Sequence, residues 1–202
     1  MTDWLTRCPL VAILRGVKPE EAVAIGLALE RQGIAIVEVP LNSPRPMESI
    51  ALLAREFGER LLIGAGTVMT PAQVAEIAAA GGKLIVTPHA DAAIVRVAKQ
   101  HGLIALPGFF TPAEAFAMLA AGADALKLFP SEAASPAVLR ALRAVLPSGM
   151  AVLPVGGIDA ANIPAWRAAG AAGFGIGSAI YKPGDSPETV GAKAHALVAA
   201  LM

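Results

Sequence analysis

The 202 residues contain one cysteine, Cys8, so no internal disulfide can form and a reducing, cytoplasmic setting fits. Neither sign of charge dominates, because 16 basic residues face 16 acidic ones. Such a chain casts no general field toward nucleic acid or an anionic membrane, so neither is expected as a partner and any anionic ligand must be held locally. Stretches free of Asp, Glu, Lys and Arg reach only about 15 residues, broken by Gly and Pro, against the ~18 that would span a bilayer. Residues 1–20 carry Asp3, Arg7 and Arg15 among their apolar positions, unlike a secretory leader. His89, His101 and His195 stand far apart, and no spacing suggests a metal site. Charge itself is scarce, at 16% of the chain against a typical ~25%. Together with Ala-rich helical segments, that scarcity predicts outer faces covered by further copies in a homo-oligomer.

What the chain does have is a repeat. Short apolar runs at 10–15, 36–40, 62–66, 84–88, 103–107, 125–129, 151–155 and 173–177 recur roughly every 20–27 residues, the spacing of a βα unit. Their continuous apolarity marks parallel strands covered on both faces. Helix starts follow: Thr70-Pro71-Ala72-Gln73 and Thr111-Pro112-Ala113-Glu114 are capping boxes with proline at the first helical position. Lys18-Pro19-Glu20, Ser135-Pro136 and Ser186-Pro187-Glu188 have a similar form. Gly33, Gly58, Gly81, Gly102, Gly122 and Gly170 fall where helices should stop. Eight such units predict an α/β fold, a (β/α)8 TIM barrel in one domain over 1–202, with an open doubly wound sheet as the alternative.

In a barrel the chemistry lies where strands end. The non-aliphatic residues collect there: Arg15, Glu38, Asn42, Thr67, Pro88, Pro107-Gly108, Lys127, Gly156-Gly157 and Gly177-Ser178. Lys127 stands in the run Ala125-Leu126-Lys127-Leu128-Phe129, on one face with Ala125 and Phe129. A desolvated amine is held toward its neutral, nucleophilic form, which suggests Schiff-base chemistry on a carbonyl; the alternative is a lysine snorkelling to solvent. Glu38 shares a face with Ile36 and Pro40. Facing Lys127 in the barrel mouth, it supplies a proton shuttle; otherwise the two form a structural ion pair.

Arg15 can grip a carboxylate or phosphate in two hydrogen bonds. Gly64 and Gly66 let a ligand approach the backbone, and the Thr67 hydroxyl can donate to a carboxylate oxygen. Gly156-Gly157 and Gly177-Ser178 end runs seven and eight, where barrels commonly hold a phosphate on backbone N–H groups. Phe129 could wall a small apolar group or fill the core. Phe109-Phe110 reads as loop packing or mouth lining, and His89, after Pro88, as a weaker mouth candidate. His101 and His195 lie in helical segments, and nothing marks Cys8 as activated.

Taken in order, Ala12-Ile13-Leu14-Arg15-Gly16, Val37-Glu38-Val39-Pro40-Leu41-Asn42-Ser43-Pro44, Ile63-Gly64-Ala65-Gly66-Thr67-Val68, Val86-Thr87-Pro88, Leu126-Lys127-Leu128-Phe129-Pro130 and Val155-Gly156-Gly157 form a specific signature. With it the chain resembles, over essentially its whole length, the pyruvate-forming class I aldolases of 2-dehydro-3-deoxy-6-phospho sugar acids, the KDPG/KHG aldolases. The resemblance implies a (β/α)8 barrel, usually a homotrimer, working without metal or organic cofactor. It implies Lys127 as the Schiff-base lysine and Glu38 as the proton shuttle. Arg15 and Thr67 would meet the substrate carboxylate, and Gly156, Gly157, Gly177 and Ser178 the phosphate.

The gluconate-cleaving members look like Thr-Leu-Arg where this chain has Pro40-Leu41-Asn42, and carry threonine at Val155. The present residues resemble the branch that cleaves the galactonate epimer. The implied reaction is retro-aldol cleavage of 2-dehydro-3-deoxy-6-phosphogalactonate to pyruvate and glyceraldehyde 3-phosphate. The same cleavage of the gluconate epimer, a phosphosugar isomerase or epimerase, and a non-catalytic phosphosugar sensor remain the rivals.

Overall fold

The computed structural model describes residues 1–201. A short helix α1 (Thr2–Arg7) precedes the repeat, which runs β1 (Leu10–Ile13), α2 (Pro19–Arg31), β2 (Ile36–Pro40), α3 (Pro46–Phe57), β3 (Leu62–Gly66) and α4 (Pro71–Ala79). It continues through β4 (Leu84–Val86), α5 (Ala92–Gln100), β5 (Ile104–Leu106), β6 (Gly108–Phe109), α6 (Pro112–Ala121) and β7 (Leu126–Leu128). The last elements are α7 (Pro136–Arg143), β8 (Val152–Pro154), α8 (Ile163–Ala168), β9 (Phe174–Ile176) and α9 (Pro187–Ala199), with a 3-10 turn (Ser131–Ala133) after β7.

The chain is an α/β fold with parallel strands. Six lie in the order β5-β4-β3-β2-β1-β9 and three in the order β6-β7-β8. The structure departs from the sequence reading in three places. Helix α1 was not foreseen, and the run 103–107 yields one strand, β5, that stops before Pro107, which lacks the N–H to carry the ladder on; a second strand, β6, starts at Gly108 beyond the run. The run 84–88 also stops as a strand at Val86. An isolated parallel bridge between Val155 and Gly175 links the end of β8 to β9.

The punctuation works as read. Thr111 and Glu114 form a reciprocal box, Glu114 N–H donating to Thr111 Oγ1 at 3.3 Å and Thr111 N–H to Glu114 Oε2 at 2.8 Å. At α4, Gln73 Oε1 accepts from Thr70 N–H at 3.1 Å. Gly122, at φ 98°, closes α6 in the left-handed region where a Cβ would be strained.

The strands bury both faces, which produces two apolar groups. The larger packs strands against helices through Leu10, Val37, Ile63, Ile85, Leu126 and Leu128. The smaller gathers the alternate residues: Val11, Ile36, Leu62, Leu84, Leu106, Ala125 and Leu153. Two residues further along the same faces stand Ile13, Glu38, Gly64 and Lys127. Ile13 pairs with Glu38 and Glu38 with Gly64, while Gly108 pairs with Lys127. The period of two therefore puts a charged layer directly above an apolar one.

Candidate active site

Glu38 is 2% exposed and Lys127 5%. Burial pushes the Glu38 carboxyl up to about 7, against the pull of the Lys127 and Arg15 charges. Burial likewise holds the Lys127 amine below the usual lysine range; Glu38 opposes that shift and Arg15 adds to it. The two are coupled but do not touch as an ion pair. Glu38 Oε2 is buried and has no hydrogen-bond partner. The Lys127 ammonium stands 4.5 Å from the centre of the Phe129 ring, a cation–π contact. No ion pair joins the two, and what is left is two buried ionisable groups with a gap between them.

Glycine makes the room. A Cβ at Gly66 would overlap the Glu38 carboxyl, and one at Gly64 would overlap the backbone of Leu84. The sequence reading gave both glycines to an approaching ligand. Their immediate neighbours are instead a catalytic candidate and the next strand. Thr67 follows at φ 56°, a left-handed conformation that a β-branched residue adopts only under strain, of order 1–3 kcal/mol.

Beside this pair a cleft of about 570 Å³ opens. Its lining includes Arg15, Phe129, Val155, Gly156, Gly157, Gly177 and Ser178, so seven sequence-selected residues meet in one place. Ile13, the ladder partner of Glu38, and Phe129, under the Lys127 ammonium, join the cleft to the buried groups. Thr67 and Pro88 do not line it. Pro88 packs against Gly108, where a Cβ would meet the Pro88 carbonyl carbon at 2.6 Å.

Arg15 projects into the cleft and donates to Asn42 Oδ1 at 2.8 Å, so the segment Pro40–Asn42 orients the guanidinium. At the other end, the backbone N–H groups of Gly157, Ile158, Ser178 and Ala179 donate to no acceptor among the described residues. The chain after β9 turns back at once, Ile180 and Tyr181 N–H donating to Gly177 C=O at 3.0 and 3.1 Å. Unspent amides beside the Ser178 hydroxyl suit an anion.

Sequence reasoning missed Lys182, Ser131 and Glu132. Lys182 lines the cleft, and Asp185, its nearest carboxylate in sequence, is occupied by Lys193 Nζ at 2.5 Å and by the Lys182 N–H at 2.7 Å. Ser131 Oγ donates to Leu128 C=O and accepts from Val155 N–H, both at 2.9 Å, which locks the lysine strand to Val155. Lys182 sits five residues beyond the glycine ending run eight, a position where a search for cations would have found it. Nothing in the sequence marks Ser131.

The lesser candidates are settled by burial. Phe109 is buried at 2% and Phe110 exposed at 38%. Cys8 is buried and burial pushes its thiol up, away from reactivity. His89 is half-buried with Nδ1 unpartnered, and its Nε2 lies 3.9 Å from Asp91. His195 Nδ1 meets Gln32 on the surface at 3.2 Å. Among the described residues no cluster of His, Cys, Asp and Glu suits a metal ion, and no helix is long and apolar enough to cross a membrane.

A family model described as KDPG and KHG aldolase matches residues 1–188. The chain is 47% identical over 198 residues to the 2-dehydro-3-deoxy-6-phosphogalactonate aldolase of Escherichia coli K12, covering 98% of this chain and 97% of that one. It is 46% identical over 192 residues to a probable 2-dehydro-3-deoxy-6-phosphogalactonate aldolase of Rhizobium meliloti 1021, covering 95% and 91%. A solved structure described as native KDPGal superposes with a TM-score of 0.95 at 46% identity, over 96% of this chain and 95% of that one.

Proposed function

This chain belongs to the KDPG and KHG aldolase family of carbon–carbon lyases, and on that footing we propose that it cleaves 2-dehydro-3-deoxy-6-phospho-D-galactonate to pyruvate and D-glyceraldehyde 3-phosphate. The likeness to relatives named for the galactonate substrate supports that choice over the gluconate epimer, as do Pro40-Leu41-Asn42 and Val155. The observation that carries the mechanism is the buried, coupled but unjoined pair of Lys127 and Glu38.

Lys127 attacks the C2 ketone with its neutral amine, and loss of water from the carbinolamine gives an iminium. The Glu38 carboxylate, directly or through a water, takes the C4 hydroxyl proton as the C3–C4 bond breaks and its electrons pass into the iminium. Glyceraldehyde 3-phosphate leaves. Glu38 then delivers a proton to C3 of the enamine, and hydrolysis frees pyruvate and the lysine. A carboxyl held near 7 is suited to both directions of transfer. Arg15 and Thr67 hold the C1 carboxylate and Phe129 walls the pyruvyl methylene. Pro88 helps to close the mouth. Gly156, Gly157, Gly177 and Ser178 hold the phosphate on oriented dipoles, with Lys182 at the rim. Anchoring both ends of the substrate fixes C2 at the amine and C4 at the carboxylate. None of these steps calls for a metal or an organic cofactor.

The same reading takes residues 1–202 as one (β/α)8 domain, β5 and β6 being one strand interrupted at Pro107 and the Val155–Gly175 bridge joining the two sheets. It takes the active unit as a cytoplasmic homotrimer. Met69, Phe110 and Phe116, 49%, 38% and 47% exposed in one chain, are apolar surface that other copies would cover. Light scattering giving the mass of one chain at micromolar concentration would remove the oligomer.

Incubation with pyruvate and borohydride should leave a stable adduct on Lys127, located by peptide mass analysis; an unmodified lysine would overturn the Schiff base. Comparing kcat/KM for the two C4 epimers should favour the galactonate form, and a preference for the gluconate form would overturn the substrate.

A further inference from the structure

The contacts that lock Ser131 to Val155 fix where the next side chain goes. Glu132 is carried over the loop after β8, where a Cβ at Gly156 would overlap its carboxylate and one at Gly157 would meet its Cγ at 2.8 Å. It lines the same cleft as Arg15, Phe129 and Ser178. Glu132 is exposed to solvent, and its carboxylate accepts no hydrogen bond and forms no ion pair among the described residues. The other acidic residue of the cleft, Asp159, is committed to its own turn, accepting from Ala161 and Asn162 N–H at 3.0 Å each. The Tyr181 hydroxyl is likewise occupied, donating to Glu21 at 2.8 Å.

An unpaired carboxylate beside an anion site raises the free energy of the complex unless the ligand brings a donor to it. On the aldolase reading, the substrate has one hydroxyl still without a partner. C2 is tied to Lys127, the C4 hydroxyl faces Glu38, and the phosphate on C6 meets the loops after β8 and β9. C5, next to the phosphate-bearing carbon, must then pass the Gly156–Gly157 loop where Glu132 lies.

We propose that Glu132 accepts a hydrogen bond from the C5 hydroxyl, and so selects phosphorylated aldehydes that carry a hydroxyl beside the carbonyl. Glu132 is a specificity residue in this scheme. The bond-making step needs nothing from it.

The test runs the reaction in the condensing direction with pyruvate and either glyceraldehyde 3-phosphate or 3-phosphooxypropanal, which lacks that hydroxyl. The two aldehydes differ in intrinsic electrophilicity, so the readout is the change in their kcat/KM ratio between enzyme forms. The unaltered enzyme should favour glyceraldehyde 3-phosphate, and Glu132→Ala should shrink the ratio by about tenfold or more. Glu132→Gln, whose amide oxygen still accepts, should keep part of the preference. A ratio unchanged in Glu132→Ala, or a gain in kcat/KM equal for both aldehydes, would reduce Glu132 to a repulsive neighbour of the phosphate and overturn the proposal. Condensation with neither aldehyde by the unaltered enzyme would overturn the aldolase reading, and this inference with it.

Discussion

Beside one end of the cleft Glu38 and Lys127 are 2% and 5% exposed, displaced from their ordinary protonation and not paired with each other. At the other end Ser178 and Lys182 stand in solvent beside amides that donate to nothing. On the proposed mechanism the first end stores reactivity, because desolvation makes an amine nucleophilic and a carboxyl weakly acidic. The second offers binding, because oriented N–H dipoles hold an anion with no change in protonation. Substitutions at the buried end should therefore strike kcat, and those at the open end KM.

Lys127→Met gives the largest expected effect. It removes the electron sink, and pyruvate release should fall by ~10³-fold or more with no borohydride adduct. An apolar side chain in place of a buried charge should leave the melting temperature unchanged or higher. Activity within tenfold of the parent would break the contrast between the two ends.

Glu38→Gln should lower kcat by ~10²–10⁴-fold. It also carries a stability signature. The carboxyl has a folded value of about 7 against an ordinary 4.5. Its contribution to stability is thus fully present below pH 4.5 and is lost as the pH rises through 7. Relative to the parent, Glu38→Gln should gain stability between those limits, by up to about 3 kcal/mol. Urea unfolding at pH 5 and pH 8 measures it, and a gain no larger at pH 8 would contradict the burial cost assigned to Glu38.

Val155→Thr sharpens the comparison between the ends, since this residue lies in the cleft and on the lock to the lysine strand. A hydroxyl there should move the epimer ratio of kcat/KM toward the gluconate form by roughly tenfold. Ser178→Ala is the mildest. Losing one phosphate donor should raise KM severalfold, on the order of 1 kcal/mol, with kcat little changed. A fall in kcat as large as that of Glu38→Gln would mean that the phosphate end does more than bind.

Much of this site could be read from residue type and place. Lys127 and Glu38 stood out as charges in apolar runs, and the period of two gave their faces. Residues at strand ends could be listed because barrel chemistry collects there. The reading failed where the relevant partner is distant in sequence. Gly66 looked like ligand access and proves to make room for Glu38, 28 positions earlier. Asn42 read as a strand-end residue and a marker of sub-family, and it proves to hold Arg15. Ser131 and Glu132 had no local signature, because their neighbours, Val155 and Gly156, come from the next βα unit.

The sequence by itself determined the parallel α/β repeat, many of the helix starts and stops, and which two charged residues stand inside apolar strands. These follow from local rules: apolar period, capping chemistry, glycine at positive φ, and the cost of a charge in an apolar strand. Only the tertiary structure decided that Glu38 and Lys127 are coupled without pairing, that Arg15 is oriented by Asn42, and that an unspent carboxylate stands over the glycine loop. Distance between side chains on different strands sets desolvation and Coulomb energy, and no local pattern in the chain encodes that distance.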